Sequence, residues 1–144
     1  MMRKGIIEII KKENVKCFPV NIEDVKIEGF WKFIMGRNRK VSIPLLYKLF
    51  VKYKTIENFE IEAGVKRGKK TDRLATDSDL YKWIEAVSWD LQNEWNDKNV
   101  KLLDKLIELI KKAQKKDGYL NTAPYIKKNL KTYILIMNYI VEVI

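Results

Sequence analysis

Between residues 30 and 54 the apolar positions fall at helical spacing: Phe33, Ile34 and Met35, then Leu45, Leu46, Leu49, Phe50 and Tyr53. Steps of three and four put side chains on one helical face. Pro44 fits the first turn of the second piece, where its missing N–H costs nothing. Residues 55–63 read as a shorter helix, and residues 64–76 as a basic, glycine-containing loop. Two longer helices follow. The first opens on Asp77-Ser78-Asp79, with Asp77 or Ser78 expected as its cap, and carries Leu80, Trp83, Ile84, Val87, Leu91 and Trp95. The second follows the link Asp97-Lys98-Asn99 and buries Val100, Leu103, Leu106, Ile107, Ile110 and Ala113. It is expected to run to about Lys116, with Gly118 near its C′ position. A link that short predicts an antiparallel helical hairpin over residues 77–118. In contrast, Val25 and Ile27 alternate with Asp24, Lys26 and Glu28, which predicts a short strand within residues 17–29. Residues 1–16 read as an N-terminal arm, helical or extended. All four Trp are expected in the core.

Composition narrows the function more than the fold. The chain has 144 residues, one domain's worth, with 47% hydrophobic and 33% charged residues. Histidine is absent, so the chain alone can build no histidine triad, Cys-His pair or histidine metal site. Cys17, the single cysteine, excludes an intrachain disulfide and is expected to be an inert thiol. Net charge is +10, which invites a nucleic-acid reading. However, only five of the 29 basic residues are Arg (Arg3, Arg37, Arg39, Arg67 and Arg73), whereas base and phosphate readers favour Arg. Neither nucleic acid nor membrane is the expected partner. Arg37 and Arg39 are expected to be surface or ion-pair residues. The start lacks the long apolar core of a secretory signal, so a cytoplasmic location is expected. The apolar tail, residues 132–144, falls short of the ~20 residues that span a bilayer.

Several short motifs stand in a telling order. They are Gly29-Phe30-Trp31, Asn38-Arg39-Lys40-Val41-Ser42-Ile43-Pro44, Ile56-Glu57-Asn58-Phe59 and Ala63-Gly64. Next come Asp77-Ser78-Asp79-Leu80-Tyr81-Lys82-Trp83-Ile84-Glu85-Ala86 and Ala113-Gln114-Lys115-Lys116-Asp117-Gly118-Tyr119-Leu120-Asn121-Thr122. Over residues 17–125 the chain resembles the N-terminal part of the glycoside hydrolase family 127 enzymes, the β-L-arabinofuranosidase-like group. The resemblance implies a mainly α fold: part of an α/α toroid of helical hairpins, here with a short N-terminal β arm. It also implies hydrolysis of L-arabinofuranosyl bonds with retention. In the characterised type a zinc-bound cysteine is the nucleophile and a glutamate the acid/base, both downstream of the matched region. This chain is therefore expected to hold no catalytic residue and no zinc, although zinc is expected in the full-length family.

Within the matched region Asp77, Asp79, Tyr119 and Asn121 are the candidate sugar-binding residues. Carboxylates and amides hydrogen-bond hydroxyls, and an aromatic ring stacks on a sugar face. For the two aspartates helix capping explains the position equally well, and two neighbours at a helix start are no facing acid/base pair. Two other functions compete with the enzyme fragment. One is a non-enzymatic helical interaction module, the other a basic nucleic-acid binder with steeply salt-dependent affinity. A partial ring of helices would also expose apolar faces and could self-associate through them.

The tail departs from the family, which soon presents a helix reading like His-Glu-Leu-Tyr-Cys-Ala-Gly-His. With AT-rich codons, Asn138-Tyr139-Ile140-Val141-Glu142-Val143-Ile144 back-translates as AAT TAT ATT GTG GAG GTC ATA. Read from the third base, this gives Leu-Tyr-Cys-Gly-Gly-His. Residues 126–144 are thus expected to be an aberrant tail, after a frame change between Tyr125 and Asn138. Sequencing the gene downstream should show the shifted frame continuing into a Cys/His-bearing helix and later glutamate and cysteine residues. If no frame does so, the frame-change reading fails.

Overall fold

In the computed structural model the described residues are 20, 24–71 and 76–123. They form five α-helices: α1 (Gly29–Arg37), α2 (Ile43–Lys52), α3 (Thr55–Glu62), α4 (Thr76–Asn93) and α5 (Asp97–Ala113). Among the described residues there is no strand. Residues 25–28 have no partner strand among the described residues, so the strand their alternation of apolar and charged side chains predicts is not shown. The N-terminal arm (residues 1–16), Cys17, Arg3, Arg73 and the tail lie outside the described residues.

A widened π-turn, Asn38–Ser42, joins α1 to α2 with no break in the helical course. Pro44 explains the widening. It has no N–H to give the carbonyl four residues back, and its ring crowds that carbonyl in a regular helix. Ile43, just before the proline, still holds helical angles (φ −57°, ψ −54°), a conformation that proline disfavours in its predecessor. Arg39 steadies the turn from outside. Its Nε donates to both Asp90 carboxylate oxygens at 3.0 and 2.9 Å, its Nη2 lies 2.9 Å from Asp90, and its Nη1 reaches Glu94. Hydrogen bonding to Asp90, ahead of the carboxylates' charge, raises the Arg39 pKa above its ordinary value. This is the ion-pair role expected of Arg39.

The chain turns at Tyr53 and Lys54, and Lys54 adopts left-handed angles (φ 62°). Helix α3 ends in a Schellman motif: Gly64 (φ 70°) donates to the Ile61 carbonyl and Val65 to that of Glu60. Buried Asn58 then fastens the basic loop. Its Oδ1 accepts from the Thr71 N–H at 2.9 Å, and its Nδ2 donates to the Thr71 carbonyl at 3.5 Å. Lys66–Glu57 and Lys70–Glu62 pin the same loop to α3.

The core lies where α2, α3, α4 and α5 meet. It contains Ile43, Ile56, Phe59, Leu80, Trp83, Val87, Leu103, Leu106 and Ala113. The predicted hairpin of α4 and α5 is present, with three corrections. Its link is Glu94-Trp95-Asn96, and Asn96, not Asp97, caps α5 by accepting from the Lys98 and Asn99 N–H groups. Helix α5 ends at Ala113 because Gln114 turns extended; Gly118 instead closes a turn back to Lys115 and does not sit at C′. Ile107, expected in the core, is 48% exposed. The buried stripe runs through Leu103, Leu106, Ile110 and Ala113 with Leu102 and Leu109 beside it, and Ile107 sits about 100° around the helix from its centre.

Only Trp83 of the tryptophans is fully in the core; Trp31 and Trp95 are exposed and Trp89 is half-buried. Helix α1 buries none of its residues, and Phe30, Trp31 and Phe33 all face outward. No helix among the described residues is long and apolar enough to cross a membrane. Leu106→Ala should cost about 2–5 kcal/mol, as core leucine truncations do. By contrast, Ile107→Ala should stay within about 0.5 kcal/mol, as surface changes do. Chemical denaturation of both variants checks the assignment, and equal losses would contradict the placement of Ile107.

Candidate functional site

Thr76 is already helical, so Asp77 lies inside the first turn of α4 and is not its cap. Its carboxylate is turned to the segment that follows α5. Oδ2 accepts from the Thr122 N–H at 2.7 Å, and Oδ1 accepts from the Thr122 hydroxyl and, at 3.3 Å, from Thr76. Thr122 is fully buried. One carboxylate thus holds the loop Gly118–Ala123 against the start of α4, and the helix dipole favours a negative charge there. Thr122 was not singled out from sequence. Its signal was small: a hydroxyl residue directly after the Tyr-Leu-Asn run.

Tyr119 and Asn121 sit in this loop and are engaged within it. The Tyr119 N–H donates to Asp117, and Lys115 Nζ stands 4.9 Å above its half-exposed ring. Asn121 Oδ1 accepts from the Ala123 N–H at 2.8 Å. Asp79, two positions beyond Asp77, is exposed and makes no such bond among the described residues. The four predicted residues therefore divide. Asp77 joins α4 to the loop, Tyr119 and Asn121 shape the loop, and Asp79 opens onto a separate cleft.

That cleft lies between α2 and α4 and measures about 400 Å³. Ile43, Leu46, Phe50, Trp83 and Ala86 line its apolar floor. Asn38, from the π-turn, and Lys82 join Asp79 at its polar edge. Trp83 anchors the floor: its Nε1 donates to the Ile43 carbonyl at 3.0 Å, and its ring packs on Tyr47 (centroids 5.6 Å apart) and edge-on against Phe50 (6.3 Å). Sequence reasoning missed Asn38 and Lys82, because only the fold brings residue 38 beside residues 79 and 82.

Among the described residues no group of three or more His, Cys, Asp or Glu side chains could hold a metal ion.

The match to known proteins decides the family. Residues 24–138 match the model of the β-L-arabinofuranosidase GH127 catalytic domain. The chain belongs to the GH127 family. It is 32% identical over 75 residues to the non-reducing end β-L-arabinofuranosidase of Bifidobacterium longum subsp. longum, which covers 52% of this chain and 11% of that protein. A solved GH127 β-L-arabinofuranosidase from Geobacillus stearothermophilus T6 matches with a TM-score of 0.65 at 36% identity, covering 67% of this chain and 16% of that one. The GH127 chain described here thus spans a small share of these relatives' length, and its helices are a piece of the same α/α architecture.

Two measurements test the geometry at the start of α4. Asp77→Ala leaves the buried Thr122 donors unpaired, so it should cost about 1–3 kcal/mol, more than the ~1 kcal/mol of a lost cap. Thr122→Val should lose a comparable amount. Tyr81 lies nearby, edge-on to Phe59 at 6.0 Å. Tyr81 is 37% exposed; its partial burial, with the Asp77 charge adding to it, pushes its pKa up to about 12. Ionisation is then harder in the folded state than at the ordinary value of 10, so stability falls as pH rises from 10 towards 12. Alkaline spectrophotometric titration should show one tyrosine titrating late, and Tyr81→Phe should remove that step.

Proposed function

We propose that this chain is the N-terminal share of a GH127 catalytic domain that hydrolyses terminal L-arabinofuranosyl bonds of glycans. The observation that carries this reading is the Geobacillus structure, matched in fold and at 36% sequence identity across two thirds of the chain. The order of the motifs from Gly29 to Thr122 supports the N-terminal assignment. The family match runs on to residue 138, so the frame change belongs at the far end of the Tyr125–Asn138 range. The lone cysteine fits a reducing, cytoplasmic location on this reading.

On this reading the helices described here build a wall of the active domain, while the bond-breaking groups come from elsewhere in it. Glycoside hydrolysis needs two positioned groups on either side of the scissile bond. Asp77 and Asp79 cannot serve as that pair, because Asp77 is committed to Thr122 and the two carboxylates face different surroundings.

The test compares two proteins on an aryl β-L-arabinofuranoside with zinc supplied. The 144-residue chain should show no turnover above buffer. The same chain joined, in the restored frame, to its downstream sequence should hydrolyse the substrate. Zinc-dependent turnover by the chain alone that is lost in Cys17→Ser would overturn the division of labour. An inactive full-frame protein would overturn the substrate.

A further inference from the structure

A second hollow, of about 430 Å³, lies between α1 and the C-terminal end of α4. Three lysines line it. Lys26 comes from the segment before α1, while Lys32 and Lys40 stand four residues either side of Gly36 along the helical course. None of the three makes a hydrogen bond or ion pair among the described residues. Two acids also line the hollow. Glu94 is taken by Arg39, whose other bonds go to Asp90. Glu28 gives α1 no side-chain cap and makes no ion pair among the described residues. Three ammonium groups therefore face one uncommitted carboxylate.

Gly36 adds an independent observation. It lies inside the unbroken course from α1 into the π-turn, where a glycine weakens a helix. It is not among the glycines with positive φ, and a Cβ at this position would meet nothing within 4 Å. Neither backbone conformation nor packing among the described residues calls for glycine here. Its missing side chain leaves the floor open between Lys32 and Lys40.

The surplus of positive charge selects an anion, and valence and size narrow it. A phosphate monoester carries about −1.5 to −2 charge at pH 7, which balances three ammonium groups set against Glu28. Lysine binds phosphate as a point charge and needs no planar fork. The hollow also exceeds what a bare ion fills, since one water takes roughly 30 Å³ of liquid. The organic part of an ester has room there, with the Asn93 amide beside it. We propose that this hollow binds a small phosphate monoester, its phosphate held by Lys32 and Lys40 with Lys26, and its organic group laid over Gly36. The site does not depend on the glycosidase reading.

Calorimetric titration and ligand-observed NMR of the 144-residue chain test this at fixed ionic strength, with glycerol phosphate, inorganic phosphate and succinate as probes. Glycerol phosphate should bind saturably, inorganic phosphate more weakly at the same lysines, and succinate not at all. Lys32→Gln and Lys40→Gln should each weaken the ester about tenfold, as loss of a charged hydrogen bond does. Lys112→Gln removes the same charge from the last turn of α5 and should leave binding unchanged. Gly36→Gln should raise the unfolding midpoint, because glutamine is the better helix former, yet abolish binding by filling the hollow. Circular dichroism should stay the same in all four variants. Absence of saturable ester binding overturns the site. Equal losses in Lys112→Gln and Lys32→Gln also overturn it, because binding would then follow the net charge of +10 alone. Succinate or inorganic phosphate bound as tightly as the ester overturns the ester assignment. A folded Gly36→Gln variant that binds like the parent chain overturns the placement over Gly36.

Discussion

The indole of Trp83 is the joint on which the described helices depend. It is buried at 4% exposure, sits on α4, and reaches across to α2 through its hydrogen bond to the Ile43 carbonyl. A buried indole N–H left without a partner would cost about 1–3 kcal/mol, so this bond fixes the rotation of α4 against α2 as well as their distance. Tyr47 and Phe50 then close on two sides of the ring. The acceptor stands at the point where the π-turn hands over to α2, just before Pro44. Proline constrains the backbone there, and the indole ties that same backbone to the next helix. The cleft beside Trp83 lies between the two helices so joined, with Asn38 from the π-turn among its lining.

Polar clamps do for the loops what Trp83 does for the helices. Asn58 pairs with both backbone groups of Thr71, and Asp77 takes both donors of Thr122. Each brings a connecting segment back onto a helix start or face, where water cannot serve the buried groups. Among the described residues no buried side-chain polar atom lacks a partner. The fold is therefore specified by a few polar pairs at its ends as much as by its apolar stripe.

These features were unequally legible in the sequence. Helices α2 to α5 could be placed from spacing alone, because Leu80, Trp83 and Val87 or Leu103, Leu106 and Ala113 repeat at the helical period. Ile107 misled because an apolar residue one step outside a stripe looks like part of it; burial depends on what packs opposite, which no local pattern contains. The strand expected within residues 17–29 is not shown at the described residues 24–28, since alternation in Val25 to Ile27 needs a neighbouring strand to have meaning. The link and the end of α5 slipped by a few residues because Asn96 and Gln114, not the more conspicuous Asp97 and Gly118, set the boundaries. The cleft was half legible: Asp79 was chosen from sequence, while Asn38 and Lys82 required the fold.

The family could be read from sequence more readily than the site, and the structure explains the difference. The motifs that carry the resemblance include Asn58, Gly64, Asp77, Trp83 and Thr122, and each of these has a fold-holding role. Gly64 supplies the left-handed turn that ends α3, Asn58 and Asp77 clamp loops, and Trp83 joins two helices. Such residues identify an architecture because their spacing encodes tertiary contacts. They say little about chemistry, since a carboxylate committed to a threonine is not free for substrate. Asp79 stands two positions from Asp77 in the same motif yet makes no side-chain bond among the described residues and opens onto the cleft. Asp79 and Lys82 from this helix and Asn38 from the π-turn line one cleft, and none of their side chains makes a hydrogen bond or ion pair among the described residues.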